Sequence, residues 1–506
     1  MRRKKQRMAQ VHGAWLAFLA SVLVLAVLIG LLAWGAKKPD TSTTTQPLMV
    51  YCAAGIKTPV EAIAQEYERQ YSVPVQLQYG GSQTLLTKIE LKGEGDLYLP
   101  GDDSYLHMAR KKDLLAETLP LARMMPVLAV RKGNPKHLHT LQDILKGDTR
   151  LSQANPDAAA VGKLARDALQ KRGQWEAWQK HVIVSKTTVN DVANDIALGA
   201  ADAGIVWDSV VRQMPALEMV ALPELSSATA HVAVGVLKGS PQPMAALRFA
   251  RYLAAHDRGA NHFRKAGFTP VEGDRWTETP ELRLFAGAML RPAIEETIAA
   301  FREREGAEVT CVYNGCGILV AQMTTNHQSP DAYFACDQSF MTQVKDLFLD
   351  PATISSNQLV IFVHKGNPHH IESLDDLGKP GLKIGVGHEK QCAMGALTQE
   401  TLKQGRAHHR VMKNVKVQSP TGDMLINQLL TGSLDAIIAY ISNGANAADK
   451  LEAIPLAIPC AIAVQPIAIG KDSEYKQLTQ RLVDAIRSRE SRERFESYGF
   501  HWRAPR

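Results

Sequence analysis

The sequence predicts an α/β protein of two tandem domains behind one N-terminal apolar helix. Three observations carry this: a long internal repeat, strand-like runs alternating with amphipathic segments in each copy, and an uncharged apolar stretch ahead of both.

The repeat is clearest where residues 127–143 read VLAVRKGNPKHLHTLQD and residues 360–376 read VIFVHKGNPHHIESLDD. Their glycines, Gly133 and Gly366, stand 366 − 133 = 233 residues apart. Nearly the same offset pairs Tyr51 with Phe285, Tyr79 with Tyr313, Gly81 with Gly315, Asp102 with Asp337, and Trp207 with Tyr440. Near the ends, FRKAGF at 263–268 pairs with FESYGF at 495–500. Anchors in one order over this length mean a duplicated domain, and a period this long gives two domains, not a solenoid. The expected units are residues 48–272 and 280–506, joined by a short polar connector at 273–279. A chain of 506 residues, 45% apolar and 22% charged, has material for two cores.

Ahead of the repeat, residues 1–13 form a basic segment, 14–35 an apolar one and 36–47 a polar linker. No charged residue lies between Ala14 and Trp34, a run long enough to cross roughly 30 Å of hydrocarbon as a helix. The basic residues before it belong in the cytoplasm, which places both domains on the extracytoplasmic side as a single-pass, membrane-anchored protein. A cleaved export signal is the competing reading; bulky Trp34 stands where a cleavage site wants a small residue. Arg2, Arg3, Lys4, Lys5, Arg7, Lys37 and Lys38 account for the whole formal charge of +7. The globular part therefore has no basic excess, and nucleic acid is not an expected partner.

In the first copy, LMVYCAA, VPVQLQY, MPVLAVR, HVIVSK and AGIVW read as short strands, each followed or preceded by helical periodicity. Thr58, Pro59 and Glu61 read as N-cap, first helical residue and capping-box partner. Alternating strands and helices imply a mainly parallel sheet, with ligand bound beyond the carboxyl ends of the strands. Four loops lead from strand to helix there: Ala53 to Gly55, Gly80 to Thr84, Asn155 to Gly162, and Thr187 to Val192. They are small and neutral, and each offers free amides at a helix start, an environment suited to an anion. None has the lysine of a nucleotide-phosphate loop.

The order YCAAG, YGGSQTL, GDLYLPGDDSYL, NPDAAAVGKLARDAL, NDVANDIALGAADAGIVWDS and FRKAGF resembles the molybdate/tungstate-binding proteins of ABC importers, a branch of the type-2 periplasmic binding proteins. The second copy repeats it with LFAGAML, YNGCGIL, PDAYFACDQSFM, GHEKQCAMGALTQETL, GDMLINQLLTGSLDAIIAY and FESYGF. The resemblance implies a type-2 fold in each domain, two α/β lobes around a cleft, with capture of a small oxyanion for an ABC-type permease, no cofactor and no catalysis. It also implies a ligand held by two serines, two loop amides and a tyrosine. Ser82 matches the second serine, Gly55 stands at the first, Val161 and Val192 fall at the amide positions, and Trp207 replaces the tyrosine. In the second domain Met289, Cys316, Met394 and Met424 occupy the matching positions and Tyr440 keeps the tyrosine.

Five of the six cysteines lie in the second half, and Cys316, Cys336 and Cys392 fall on loops expected to line one cleft. Sulfur ligands favour soft ions such as Cu(I), so an exported soft-metal binding or sensing protein is the alternative reading. The same thiols also fit small buried residues or a disulfide. Met289, Met394 and Met424 also fit simple packing, Ser82 a helix cap with or without ligand contact, and Trp207 a core position. Asp102 and Asp337 are expected to fix loop geometry, and His137, His369 and His370 to sit at the surface. No G-x-S-x-G elbow or H-E-x-x-H pair is present, which leaves binding as the expected activity.

Overall fold

The computed structural model describes residues 46–325 and 329–504. The apolar segment 14–35 lies outside them; among the described residues no helix is long and apolar enough to cross a membrane. Two separate hydrophobic cores form, one from Leu48 to Trp276 and one from Leu282 to Phe500.

The helices form where apolar residues recur with helical spacing. Lys57–Tyr71 buries Val60, Ile63, Ala64 and Tyr67 on one stripe and ends on Ser72, which takes a left-handed φ of 55°. It does not start on a Thr58 cap. A 3₁₀ turn over Ala54–Ile56 runs straight into it, so Thr58 is already helical and its hydroxyl is not needed as a cap.

In the first domain the outer lobe is a six-stranded sheet in the order Thr269–Pro270, Leu115–Met124, Ala230–Leu237, Leu97–Leu99, Leu48–Ala53, Val75–Gly80. The inner lobe is a five-stranded sheet in the order Val182–Lys186, Leu151–Ala154, Ala203–Trp207, Pro126–Arg131, Leu217–Val220. The sheets are mixed, not mainly parallel as the alternation suggested. Leu48–Ala53 pairs in parallel with both its neighbours, but Ala230–Leu237 runs antiparallel to Leu97–Leu99 and Leu115–Met124. A chain that leaves one lobe and returns must run its crossing strands in opposite directions. At the crossing, Met125 separates two strands and is held by Asp208: the Met125 N–H donates to Asp208 Oδ1 at 2.9 Å, and the Asp208 N–H to the Met125 carbonyl at 2.8 Å.

The second domain repeats this plan with one difference. Its crossing strand, Ala352–His364, is unbroken. Its first half pairs with Ile462–Ile469 and its second with Ala436–Tyr440 and Leu451–Pro455, joining both lobes into one ten-stranded sheet. The duplication extends to turn chemistry. Asn134 and Asn367 adopt φ of 42° and 44°, a region asparagine tolerates. Each side chain receives an amide N–H and donates to a carbonyl four residues on, at Leu138 and Ile371, over 2.8–3.0 Å.

The domains meet through buried charge. Glu305, fully buried at the end of helix Arg291–Glu305, receives Arg481 Nε at 2.9 Å and Nη2 at 3.1 Å, with Arg251 Nη1 3.6 Å away. Burial alone would raise the Glu305 pKa, but Arg481 and then Arg251 outweigh it and hold the carboxyl below its ordinary value. The connector is part of this joint. Asp274 accepts the amides of Gln477 and Leu478, both at 2.8 Å, and Trp276 donates from Nε1 to the Tyr71 hydroxyl at 2.7 Å.

Candidate functional site

In the first domain all four strand-to-helix loops converge on one small cavity lined by Ala53–Gly55, Gly80–Ser82, Ala159–Val161, Thr188, Val189, Gly101 and Trp207. No lining residue is charged. About 20 Å³ is open to the centre of a water-sized sphere, where ~10–15 Å³ holds one water, so the closed cleft admits one compact species and excludes an extended ligand. The lobes touch: the Gln83 N–H donates to the Ala158 carbonyl at 2.9 Å and Lys163 Nζ to Ser104 Oγ at 3.0 Å. Gly81 is what allows this approach, since a Cβ there would stand 2.5 Å from the carbonyl oxygens of Ala158 and Thr187.

Ser82 is the first residue of helix Ser82–Lys92, not its cap. Its Oγ accepts the Gly101 N–H at 3.0 Å, which leaves its own O–H free to donate into the cavity. Val161 lines the cavity as the second residue of helix Ala160–Gln170, within the first turn, whose amides lack intrahelical acceptors. Val192 does not line it. Helix Val189–Ala197 starts earlier than the loop reading assumed, so Val192 points into the core toward Gly204, and Val189 takes the cavity position. Trp207 and Gly55 are complementary. A Cβ on Gly55 would lie 2.8 Å from Trp207 Cδ1 and 3.1 Å from Nε1, so the indole occupies the space a larger residue at 55 would need. Among the described residues no acceptor takes the Trp207 N–H.

The second cleft is built the same way from Ala288, Met289, Asn314, Gly315, Cys336, Cys392–Met394, Pro420–Gly422, Tyr440 and Asn443, again with about 20 Å³ for a water-sized centre. Met289 and Met394 line it. Met424 does not: it is half exposed on helix Gly422–Leu430, and Gly422 is the residue at the cleft. Cys316 begins helix Cys316–Thr325 where Ser82 begins its own, and its Sγ accepts the Cys336 N–H at 3.0 Å, as Ser82 accepts Gly101. The Cys316 and Cys336 sulfurs lie 2.7 Å apart. Burial would raise Cys316, but hydrogen bonds from the Cys336 side chain and amide outweigh it and bring the thiol below its usual value; Cys336 rises, first from that shared hydrogen and then from burial.

Cys392 lies across the cleft on the other lobe, its Sγ accepting the Gly395 N–H at 3.4 Å, and burial pushes it up to about 11. The three thiols therefore do not assemble as a three-cysteine metal site, and among the described residues no group of three or more Cys, His, Asp or Glu is placed to hold a metal ion. Asp102 and Asp337 hold loops: Asp102 Oδ1 accepts the Ser104 N–H at 3.1 Å, and Asp337 Oδ1 the Ser339 N–H at 2.9 Å.

Sequence reasoning missed Gly101, Val189, Gly422 and Asn443. Gly101 had a signal, since its counterpart Cys336 had already been placed at the cleft. Two larger cavities, of about 670 and 600 Å³, lie on the flank of the second domain and at the domain junction, and share no lining residue with either cleft.

A cleft between two α/β lobes, walled by helix starts and duplicated in one chain, defines a ligand-capture protein. The chain belongs to the bacterial extracellular solute-binding proteins: that family model matches it twice, over residues 48–269 and 282–501. The molybdate-binding protein ModA of Escherichia coli is 26% identical over 233 residues, which is 44% of this chain and 88% of that protein. ModA of Mycobacterium tuberculosis is 25% identical over 246 residues, 47% of this chain and 92% of that protein. Among solved structures, the periplasmic molybdate-binding protein of Azotobacter vinelandii matches with a TM-score of 0.37 and 18% identity, over 44% of this chain and 98% of that one.

Proposed function

We propose that the first domain captures a small, fully deprotonated oxyanion of the molybdate/tungstate class and presents it to an ABC-type permease. The observation that supports this most directly is the neutral wall: helix-start amides, the Ser82 hydroxyl and the Trp207 indole, with no charged side chain. Such groups stabilise a dianion through dipoles without a charge pair that would hinder release. Ser82, the loop amides and Trp207 make the wall rich in donors, which favours a ligand without a proton of its own. Relatives that carry molybdate-binding names support the same class. We place both domains on the extracytoplasmic face, tethered by residues 14–35.

The test is calorimetric titration of the full chain with molybdate, tungstate, sulfate and hydrogen phosphate. Binding of the first two with exclusion of hydrogen phosphate, weakened in Ser82→Ala, is the expected result. Unchanged affinity in Ser82→Ala sinks the site assignment, and absence of any oxyanion binding sinks the function.

A further inference from the structure

The second cleft differs from the first by what stands where the oxyanion contacts belong. Cys316 replaces Ser82, Cys336 replaces Gly101, and Tyr440 replaces Trp207. Two sulfurs 2.7 Å apart thus occupy the position of one hydroxyl. Both are buried; Cys336 lines the cavity, whereas Cys316, expected at the cleft from the sequence, stands behind it and reaches the cavity only past the Cys336 sulfur. Two oxygen atoms of the same site have no partner among the described residues. One is the hydroxyl of Tyr440, which is 1% exposed; the other is Asn443 Oδ1. The amide is oriented by its Nδ2, which donates to Asp423 Oδ1 at 3.2 Å, so the free atom is the acceptor. Unpaired buried polar atoms are costly, and a ligand that satisfies both removes that cost.

We propose that the second cleft is a dithiol site for a trivalent metalloid hydroxide of the arsenite class. The chemistry balances without an oxidant. Two S–H bonds and two As–O bonds break, two As–S bonds form, and each displaced hydroxyl leaves with a thiol proton as water. Arsenic stays trivalent and keeps one hydroxyl. That hydroxyl donates to Asn443 Oδ1 and accepts from Tyr440, the one pairing that uses a donor and an acceptor together. A bare dianion offers no hydrogen to Asn443, so the two clefts select different oxygen compounds on one scaffold. Entry requires the lobes to part, because Gly315 closes against the carbonyls of Gln391 and Pro420. The proposal does not rest on the oxyanion reading of the first cleft.

The experiment is titration of the reduced full chain with sodium arsenite, read by native mass spectrometry and by the count of thiols that still react with a disulfide reagent after denaturation. The expected result is one arsenic per chain with loss of two titratable thiols and two waters. The adduct should disappear in both Cys316→Ser and Cys336→Ser and persist in Cys311→Ser and Cys52→Ser. Wild-type far-UV circular dichroism and an unchanged urea unfolding profile in the same variants report that their second domain is folded, because each domain has its own core. Tyr440→Phe should keep the two-thiol stoichiometry and weaken arsenite at least tenfold. No adduct on the wild-type chain, or an adduct that survives Cys316→Ser, overturns the assignment.

Discussion

Gly55 and Trp207 are expected to be energetically coupled, and the coupling has a calculable size. Gly55→Ser places a Cβ 2.8 Å from Trp207 Cδ1 and 3.0 Å from Val189 Cγ1, closer than carbon atoms tolerate. Overpacking of this kind costs about 1–3 kcal/mol. Gly55 has no positive φ, so no backbone strain is added, and the stiffer unfolded chain returns about 0.4–1 kcal/mol. The single variant should lose about 1–2 kcal/mol. Trp207→Tyr removes the indole edge that makes the clash, so Gly55→Ser in that background should cost at least about 1 kcal/mol less. Urea unfolding of the full chain and its three variants closes the cycle. The double variant also restores two hydroxyls to the cavity, each worth about 1.5–3 kcal/mol against a charged ligand, so its molybdate affinity should rise by tenfold or more. Additive stability losses within ~0.5 kcal/mol, with no gain in affinity, refute the argument that the tryptophan and the glycine are a matched pair.

Glu305→Gln should destabilise the domain joint by about 3–5 kcal/mol, because it leaves Arg481 and Arg251 buried without their carboxylate; a urea midpoint equal to wild type would contradict it. The Glu305 pKa is lowered by folding, so its contribution is present above the unfolded carboxylate range and fades as pH falls. The gap between wild type and Glu305→Gln should therefore narrow below about pH 4.5. Burial raises Asp274 and Glu117 near the same joint, which acts in the opposite sense; part of the Glu117 rise comes from the Glu305 charge and is relieved in Glu305→Gln. Cys392, buried and raised to about 11, should resist iodoacetamide at pH 8 in the native chain, and rapid native alkylation would show the closed second cleft to be open. Met424→Ala should leave ligand affinity in both clefts unchanged in calorimetry, since that side chain is half exposed outside the cavity.

The duplication, the strands and the four converging loops were legible because each depends on local pattern. A buried strand is an apolar run wherever it occurs, and the KGNP turns announce themselves by asparagine and glycine. Helix starts were less legible. The family resemblance puts Val192 and Met424 at loop-amide positions, whereas the helices begin at Val189 and Gly422 and rotate the later residues away. The 3₁₀ turn ahead of Lys57 hid the absence of a Thr58 cap in the same way. The buried joint was invisible because no local pattern joins Arg251, Glu305 and Arg481. Only Glu305 left a trace, a carboxylate in register with Ile298 and Phe301 on an otherwise apolar stripe. The close approach of Cys316 and Cys336 likewise depends on a helix start and a strand end that are twenty residues apart.

The crossing strand gives the two clefts different clocks. In the first domain the lobes are separate sheets that part at Met125, so opening rotates a peptide link and breaks few ladder bonds. In the second, Ala352–His364 carries one ladder through both lobes, and opening must bend that shared strand. A ligand held there waits for a rarer event. Whatever each cleft takes, exchange from the second is expected to be the slower of the two.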